Sequence, residues 1–409
     1  MFQIDVKKYE SIIGALGNVF EWYNYALVMP FAVVLMQQFF PENTSAFGKI
    51  CGGLIVSMGL FLRPLGAFVF GPIGDKFGRQ KAISWSVLLM AIPTILMGLI
   101  PGYKEIGILA PILLIFLRIL QGISLGGEYT AAMVHIVERA PAGKKGFYGC
   151  WTEAGSQMGV LLAGQSVVWI SSLFPESEVY SFMWRIPFLF GIILVPFAFL
   201  IPDQELKENK KVSIINTLKL HLKEVFCTIA ITSFSAVAFY TLWTFLPGYL
   251  VTHGILALKD ASVCGVSATI MSVVSILVCG YLSDIFGRKP FLIAGIFGVA
   301  ITLCVMFLGN FHDFHIWLLL HSLYGFCIGT YYSSRAAFFS EAFPKEVRCT
   351  AVSVSLSLAQ AFFGGLTPIV MVWIVDASEY FAIVPVICVS FFALFALSQL
   401  EDKGVKSKN

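Results

Sequence analysis

Twelve stretches of this chain are apolar and long enough to cross a lipid bilayer. They fall at roughly 11–38, 48–71, 82–101, 107–137, 146–172 and 182–201, and then at 223–250, 261–283, 290–309, 314–341, 349–375 and 379–399. A helix rises about 1.5 Å per residue, so about 20 residues bridge a hydrocarbon core ~30 Å thick. Lipid offers no partner for a backbone amide, so each run must satisfy its own hydrogen bonds, as a helix does. Composition agrees: 58% of the 409 residues are hydrophobic and 12% are charged, where a soluble domain has about 25% charged. The expected fold is an all-α polytopic membrane protein of twelve transmembrane helices.

Charge sets the expected orientation. Of the 27 lysines and arginines, twenty fall in the segments that are cytoplasmic if both termini are inside. Only Lys49, Lys104, Arg185 and Lys259 fall on the other side. Positive residues mark cytoplasmic loops, so both ends are expected there. The net charge of +3 is spread in short blocks and forms no basic surface for nucleic acid. The nine cysteines show no CxxC spacing and read as small buried hydrophobes. The polar start, Met1–Glu10, lacks the pattern of a removable signal peptide.

The stretch Pro202–Glu224 is the one long charged segment, and it divides the runs six and six. Gly71-Pro-Ile-Gly-Asp75-Lys-Phe-Gly78-Arg79 returns as Gly280-Tyr-Leu-Ser-Asp284-Ile-Phe-Gly287-Arg288. Glu138-Arg-Ala-Pro141 with Lys145 returns as Glu341-Ala-Phe-Pro344 with Arg348. The chain therefore reads as a duplicated unit: an N-terminal six-helix bundle at 1–201, a linker at 202–222, a C-terminal bundle at 223–400 and a short tail at 401–409. Repeats of this kind place a solute site at mid-membrane between halves that rock about it.

The loop from Gly71 to Lys81 and its copy resemble the signature of the major facilitator superfamily. Four further motifs are more specific. They are Gly17-Asn-Val-Phe-Glu21-Trp-Tyr-Asn24-Tyr25, Arg63-Pro-Leu-Gly66, Gln121-Gly-Ile-Ser-Leu-Gly-Gly-Glu128-Tyr129 and Trp184-Arg-Ile-Pro-Phe188. Together they resemble the metabolite:proton symporter branch, with its proline/betaine and organic-acid transporters. The resemblance implies proton-coupled uptake of a small polar metabolite, such as an amino acid, a betaine-like zwitterion or an organic acid, by a protein functional as a monomer. It implies no cofactor. Asn24 stands where the branch commonly has Asp, and the tail lacks the long coiled coil of osmosensing members, so osmotic activation is not expected. The Gly- and Pro-rich signature of drug/proton antiporters is missing around Gly155, Gly159 and Gly164.

Charges inside the spans are the candidate chemistry, because each costs a few kcal/mol to insert and faces a cavity or a partner. Six qualify: Glu21, Arg63, Arg118, Glu128, Glu153 and Arg335. Glu21 and Arg118 fall near the midplane and read either as a substrate or proton site or as an ion pair locking spans one and four. Asn18, Glu21, Asn24 and Tyr25 form a polar stripe expected to line a cavity. Arg118 and Tyr129 are expected on one face of span four, while Glu128 and Glu153 are proton candidates nearer the cytoplasm. Arg63, before a proline, reads as a brace for a kink, and Arg335 is left open between an anion and a loop carboxylate. Gln121, Tyr240 and Gln360 complete the candidate lining. Gly71, Asp75, Gly78 and Arg79, with Asp284, Gly287 and Arg288, read as a cytoplasmic gate. Metal clusters, nucleophile elbows and phosphate loops are absent from the sequence, which argues against an enzyme. A passive facilitator or a non-accumulating sensor remains the alternative.

Overall fold

The computed structural model describes residues 18–40, 59–66, 79–126, 128–194, 220–309, 311–345 and 347–403. Of these, residues 79–84, 128, 131, 132, 135 and 194 are described by their backbone alone. Every regular element among them is helical. The spans follow the order of the apolar runs, with interruptions that the sequence explains. Span one is a helix over 18–26, a set of turns over 27–31 and a second helix, Ala32–Phe39. Pro30 lies in the interruption and has no amide hydrogen to continue the ladder. The chain tightens there, with Met29 N–H donating to the Ala26 carbonyl at 2.9 Å.

Span two is described over 59–66 and span three over Arg79–Leu99. Span four is helical to Leu125, where the Gly126 N–H turns back to the Ile123 carbonyl, and is helical again over Glu128–Arg139. Span five is one helix, Lys145–Leu173, and span six begins with Arg185–Leu189 after a π-helical turn. In the second half, span seven covers Leu222–Thr252, span eight Leu258–Phe286, span nine Lys289–Leu308 and span ten Phe314–Ala342. Span eleven covers Arg348–Ala377 and span twelve Glu379–Gln399. Most of the linker expected at 202–222 lies outside the described residues.

Among the described residues, five helices (spans seven, eight, nine, eleven and twelve) are apolar and long enough to cross a membrane whole. Burial separates them. The most apolar stretch of span seven is 83% buried, against 39% for spans eleven and twelve. Span seven therefore runs through the interior, while Phe391, Phe392 and Phe395 of span twelve point outward. An outward apolar face suits hydrocarbon, which an aromatic ring enters without penalty.

Spans seven and eleven each carry a π-helical turn at mid-length, Thr241–Phe245 and Gln360–Gly364. Such turns recur at functional sites because the extra residue re-aims side chains. Here one follows directly on Phe239 and Tyr240, and the other begins at Gln360.

Candidate functional site between the halves

The buried polar groups fall into two layers. The first is built around Arg118 of span four, which has no exposed surface. Its Nη1 donates to Gln121 Oε1 at 2.7 Å and to the Tyr25 carbonyl at 3.3 Å. That carbonyl is available because the turn before Pro30 sends Met29 N–H to Ala26 instead. The guanidinium also lies 4.5 Å from the centre of the Tyr25 ring. Gln121 passes the order on, donating to Thr94 of span three at 2.7 Å. Spans two and four approach closely here, since a side-chain carbon on Gly122 would run into the Gly59 backbone. One long contact leaves this layer for the other half, between the Tyr25 and Tyr240 hydroxyls at 3.4 Å.

The second layer is centred on Arg335 of span ten and joins the halves directly. Arg335 Nε and Nη2 donate to Glu153 Oε1 of span five at 3.0 and 2.6 Å. Nη2 also donates to the Tyr129 hydroxyl at 3.0 Å, and Nη1 to Ser235 Oγ at 3.2 Å. The ring of Tyr332 lies 4.8 Å beneath the guanidinium. Breaking a buried pair by removing one partner costs about 3–5 kcal/mol, so this contact is a strong tie between the halves.

Both members of the pair line a cavity of about 20 Å³. Its wall takes Trp22, Arg63 and Tyr129 from the first half and Phe239, Tyr332 and Gln360 from the second. A space of that size holds about one water molecule. Side chains must therefore move before a metabolite fits. Trp22 is the hub of the aromatic wall, edge-on to Tyr25, Tyr129 and Phe239 at 5.8–6.2 Å.

Several expectations change on this geometry. Glu21 does not pair with Arg118; its Oε1 is buried without a hydrogen-bond partner, and the cation whose field reaches it is Arg63. The polar stripe of span one divides between neighbours. Asn18 donates to the Thr152 carbonyl at 2.7 Å and to Ser156 Oγ at 2.9 Å, tying spans one and five. Asn24 donates to the Phe20 carbonyl and is packed against Gly191 of span six, so it is absent from the cavity wall. Arg118 and Tyr129 belong to different layers: Arg118 bonds to Gln121 and the Tyr25 carbonyl, while the Tyr129 hydroxyl accepts from Arg335. Arg63 lines the cavity, 5.7 Å from the Tyr129 ring centre. Arg335, which sequence reasoning left open, is the centre of the second layer. Trp22, Gln157 and Phe239 are lining residues that reasoning missed, and Trp22 lay within a quoted motif. The side chain of Glu128 lies outside the described residues.

The end of the molecule at the start of span five and the end of span eight carries a separate set of contacts between the halves. Asp284, at the end of span eight, accepts from Gly146 N–H at 2.8 Å and Phe147 N–H at 2.9 Å. These are free amides of the first turn of span five, where a carboxylate is favoured. Arg288 pairs with Asp284 at 2.8 Å, and Gly287 between them has φ of 94°, a conformation glycine adopts freely. The repeated Glu motifs exchange partners: Glu138 pairs with Arg348 at 2.6 Å, and Glu341 with Lys145 at 3.6 Å. Each copy thus supplies the acid for the other's base. Gly71, Asp75 and Gly78 lie outside the described residues, and Arg79 opens span three with its side chain undescribed.

Helices in two sets, a charged cavity between them and ties at one end define a membrane transporter, not an enzyme. Residues 11–204 match the family "Sugar (and other) transporter", and residues 256–409 match the Major Facilitator Superfamily. A proline/betaine transporter of Salmonella typhimurium is 32% identical over 402 residues, spanning 92% of this chain and 79% of that protein. The glycine betaine/proline/ectoine/pipecolic acid transporter OusA of Dickeya dadantii is 32% identical over 389 residues, spanning 90% and 77%. Among solved structures, the proton:xylose symporter XylE bound to 6-bromo-6-deoxy-D-glucose superposes with a TM-score of 0.75 at 18% identity, covering 96% of each chain. The partially occluded inward open form of the E. coli xylose transporter XylE gives 0.77 at 17% identity, covering 96% of this chain and 97% of that one. At that identity the shared property is the fold. The chain belongs to the major facilitator superfamily, in the metabolite:proton symporter branch that includes the proline/betaine transporters.

Proposed function

We propose that this protein takes up a small carboxylate-bearing metabolite, a zwitterion such as an amino acid or a betaine or else an organic acid, together with protons. The solute occupies the cavity between the halves, which alternately open to either side of the membrane. One observation carries this reading: a single small cavity at mid-span is lined by two arginines, a carboxylate and four aromatic rings drawn from both halves. Arginines meet a carboxylate, and aromatic faces suit a substituted ammonium group. The names of the relatives, proline/betaine transporter among them, point to the same chemistry.

Closure follows from the cytoplasmic contacts. Asp284 on the span-five amides, with the two exchanged Glu pairs, holds that end shut while the outer side admits solute. The halves that rock are 1–201 and 223–400, joined by 202–222, with 401–409 as a tail. Both termini lie in the cytoplasm, the membrane is the bacterial inner membrane, and one chain in its bilayer suffices for transport. Nucleic acid has no part in it. Proton coupling resides among Glu21, Glu128 and Glu153. The departure at Asn24 does not weigh toward a passive facilitator, since that side chain packs against span six.

The test is uptake into proteoliposomes. An inward proton gradient should drive accumulation of at least one of a panel of amino acids, betaines and di- or tricarboxylates. Counterflow without gradient-driven accumulation would instead identify a passive facilitator.

A further inference from the structure

Resting on that reading, we infer that Arg335 is the receptor for the carboxylate of the solute, and that Glu153 takes up the coupled proton when the solute displaces it. Arg335 gives both of its carboxylate bonds to one oxygen, Glu153 Oε1, and both residues line the cavity. An incoming carboxylate can take those two donors in place of Glu153. The remaining donors hold the guanidinium in position, through the Tyr129 hydroxyl, Ser235 Oγ and the Tyr332 ring.

The exchange is strict because either half-step alone is unfavourable. A proton on Glu153 without solute leaves Arg335 as a buried cation without a counter-ion. A solute carboxylate without the proton leaves two carboxylates beside one guanidinium. Together they balance: one proton joins the displaced Glu153 carboxylate, and the solute carboxylate becomes the counter-ion of Arg335. A zwitterion therefore crosses with one net positive charge, and a monoanion crosses with none.

Other charged and titratable groups face Glu153 from the elements packed around it. They are Tyr129 of span four, Tyr331 and Tyr332 of span ten, Cys150 one turn below and Arg63 of span two across the cavity. None but Arg335 forms an ion pair with it among the described residues. The pair also joins the halves, so its exchange changes a tie that rocking must accommodate.

The experiment uses the full chain in proteoliposomes with glycine betaine and L-proline. Choline and pyrrolidine serve as the matching compounds without a carboxylate. In the wild type, half-saturation for exchange should weaken about tenfold between roughly pH 5.5 and 8, and the carboxylate-free compounds should not compete. Glu153→Gln should lose gradient-driven accumulation, and its half-saturation should move less than about twofold over the same range. Arg335→Lys should raise half-saturation at least about tenfold, since a point charge does not reproduce the two-donor fork. The charge swap E153R/R335E restores a pair but not accumulation, which separates exchange from a mere strut. Its size-exclusion profile reports folding.

Accumulation that survives Glu153→Gln, choline competing as well as glycine betaine, or a swap that restores accumulation would each overturn the exchange alone. A wild type that accumulates neither of these nor any member of the wider panel of amino acids, betaines and di- or tricarboxylates overturns the symport reading and the exchange with it.

Discussion

Two buried arginines at mid-membrane are held in opposite ways. Arg118 lies within the first half, and its described partners there include a carboxamide, a carbonyl and a tyrosine ring. Arg335 lies between the halves, and its chief partner is a carboxylate from the other one. A cation that keeps one environment can be satisfied by fixed dipoles, which have no proton to lose. A cation at a moving interface needs a partner that can change charge when the contact changes. The contrast assigns Arg118 to building the first half and Arg335 to work between the halves.

The largest expected effect breaks the first member. Arg118→Gln leaves the Tyr25 carbonyl and Gln121 Oε1 without their donor in a buried site, a loss of about 1–3 kcal/mol for each. Arg118→Lys should be nearly as harmful, because one ammonium does not span the carboxamide, the carbonyl and the ring. Thermal unfolding in detergent should show both variants well below the wild type, while Arg335→Lys, which keeps a cation beside Glu153, is lowered less. An Arg118→Lys protein with wild-type stability and transport would erase the contrast.

A smaller effect is expected at the end held by Asp284. Asp284→Asn keeps one acceptor for the span-five amides but loses the charge that Arg288 and the helix terminus favour. That weakens the closed form by about 1–2 kcal/mol, or roughly five- to thirty-fold in population. Cys150 is buried just inside this contact, against Gly280 of span eight. Its modification by a membrane-permeant maleimide, followed by mass spectrometry, should speed up by that factor. An unchanged rate would mean that Asp284 does not hold the end shut.

Much of this arrangement was legible in the sequence, and the failures have physical causes. Span number and the repeated loops follow from apolar length and from motif repetition, which need no knowledge of side-chain direction. Pro30 and Gly126 were visible too, but their consequence was not. Counting 100° per residue from Arg118 to Tyr129 assumes one helix, and the helix stops at Leu125. Asn24 and Glu21 sit three residues apart on one helix, yet they meet different neighbours because the rotation of span one is set by packing. The Glu153–Arg335 pair joins residues 182 apart in the chain, and its formation depends on the axial register of spans five and ten. Both residues stood out as charges in apolar runs; only the structure brings them together.

The smallest effect tests whether the two layers are independent. Among the described residues, the Tyr25 and Tyr240 hydroxyls link the Arg118 layer to the second half, and at 3.4 Å the contact is long for two hydroxyls. Tyr240→Phe should therefore cost about 0.5 kcal/mol or less, since the Tyr25 ring stays against the Arg118 guanidinium. Uptake should remain within about twofold of the wild type, with the same pH profile for exchange. A Tyr240→Phe protein that loses accumulation while keeping its thermal stability would show that the Arg118 layer reports across the interface after all. The coupling would then extend through both arginines, and the assignment of one to construction and the other to exchange would fail.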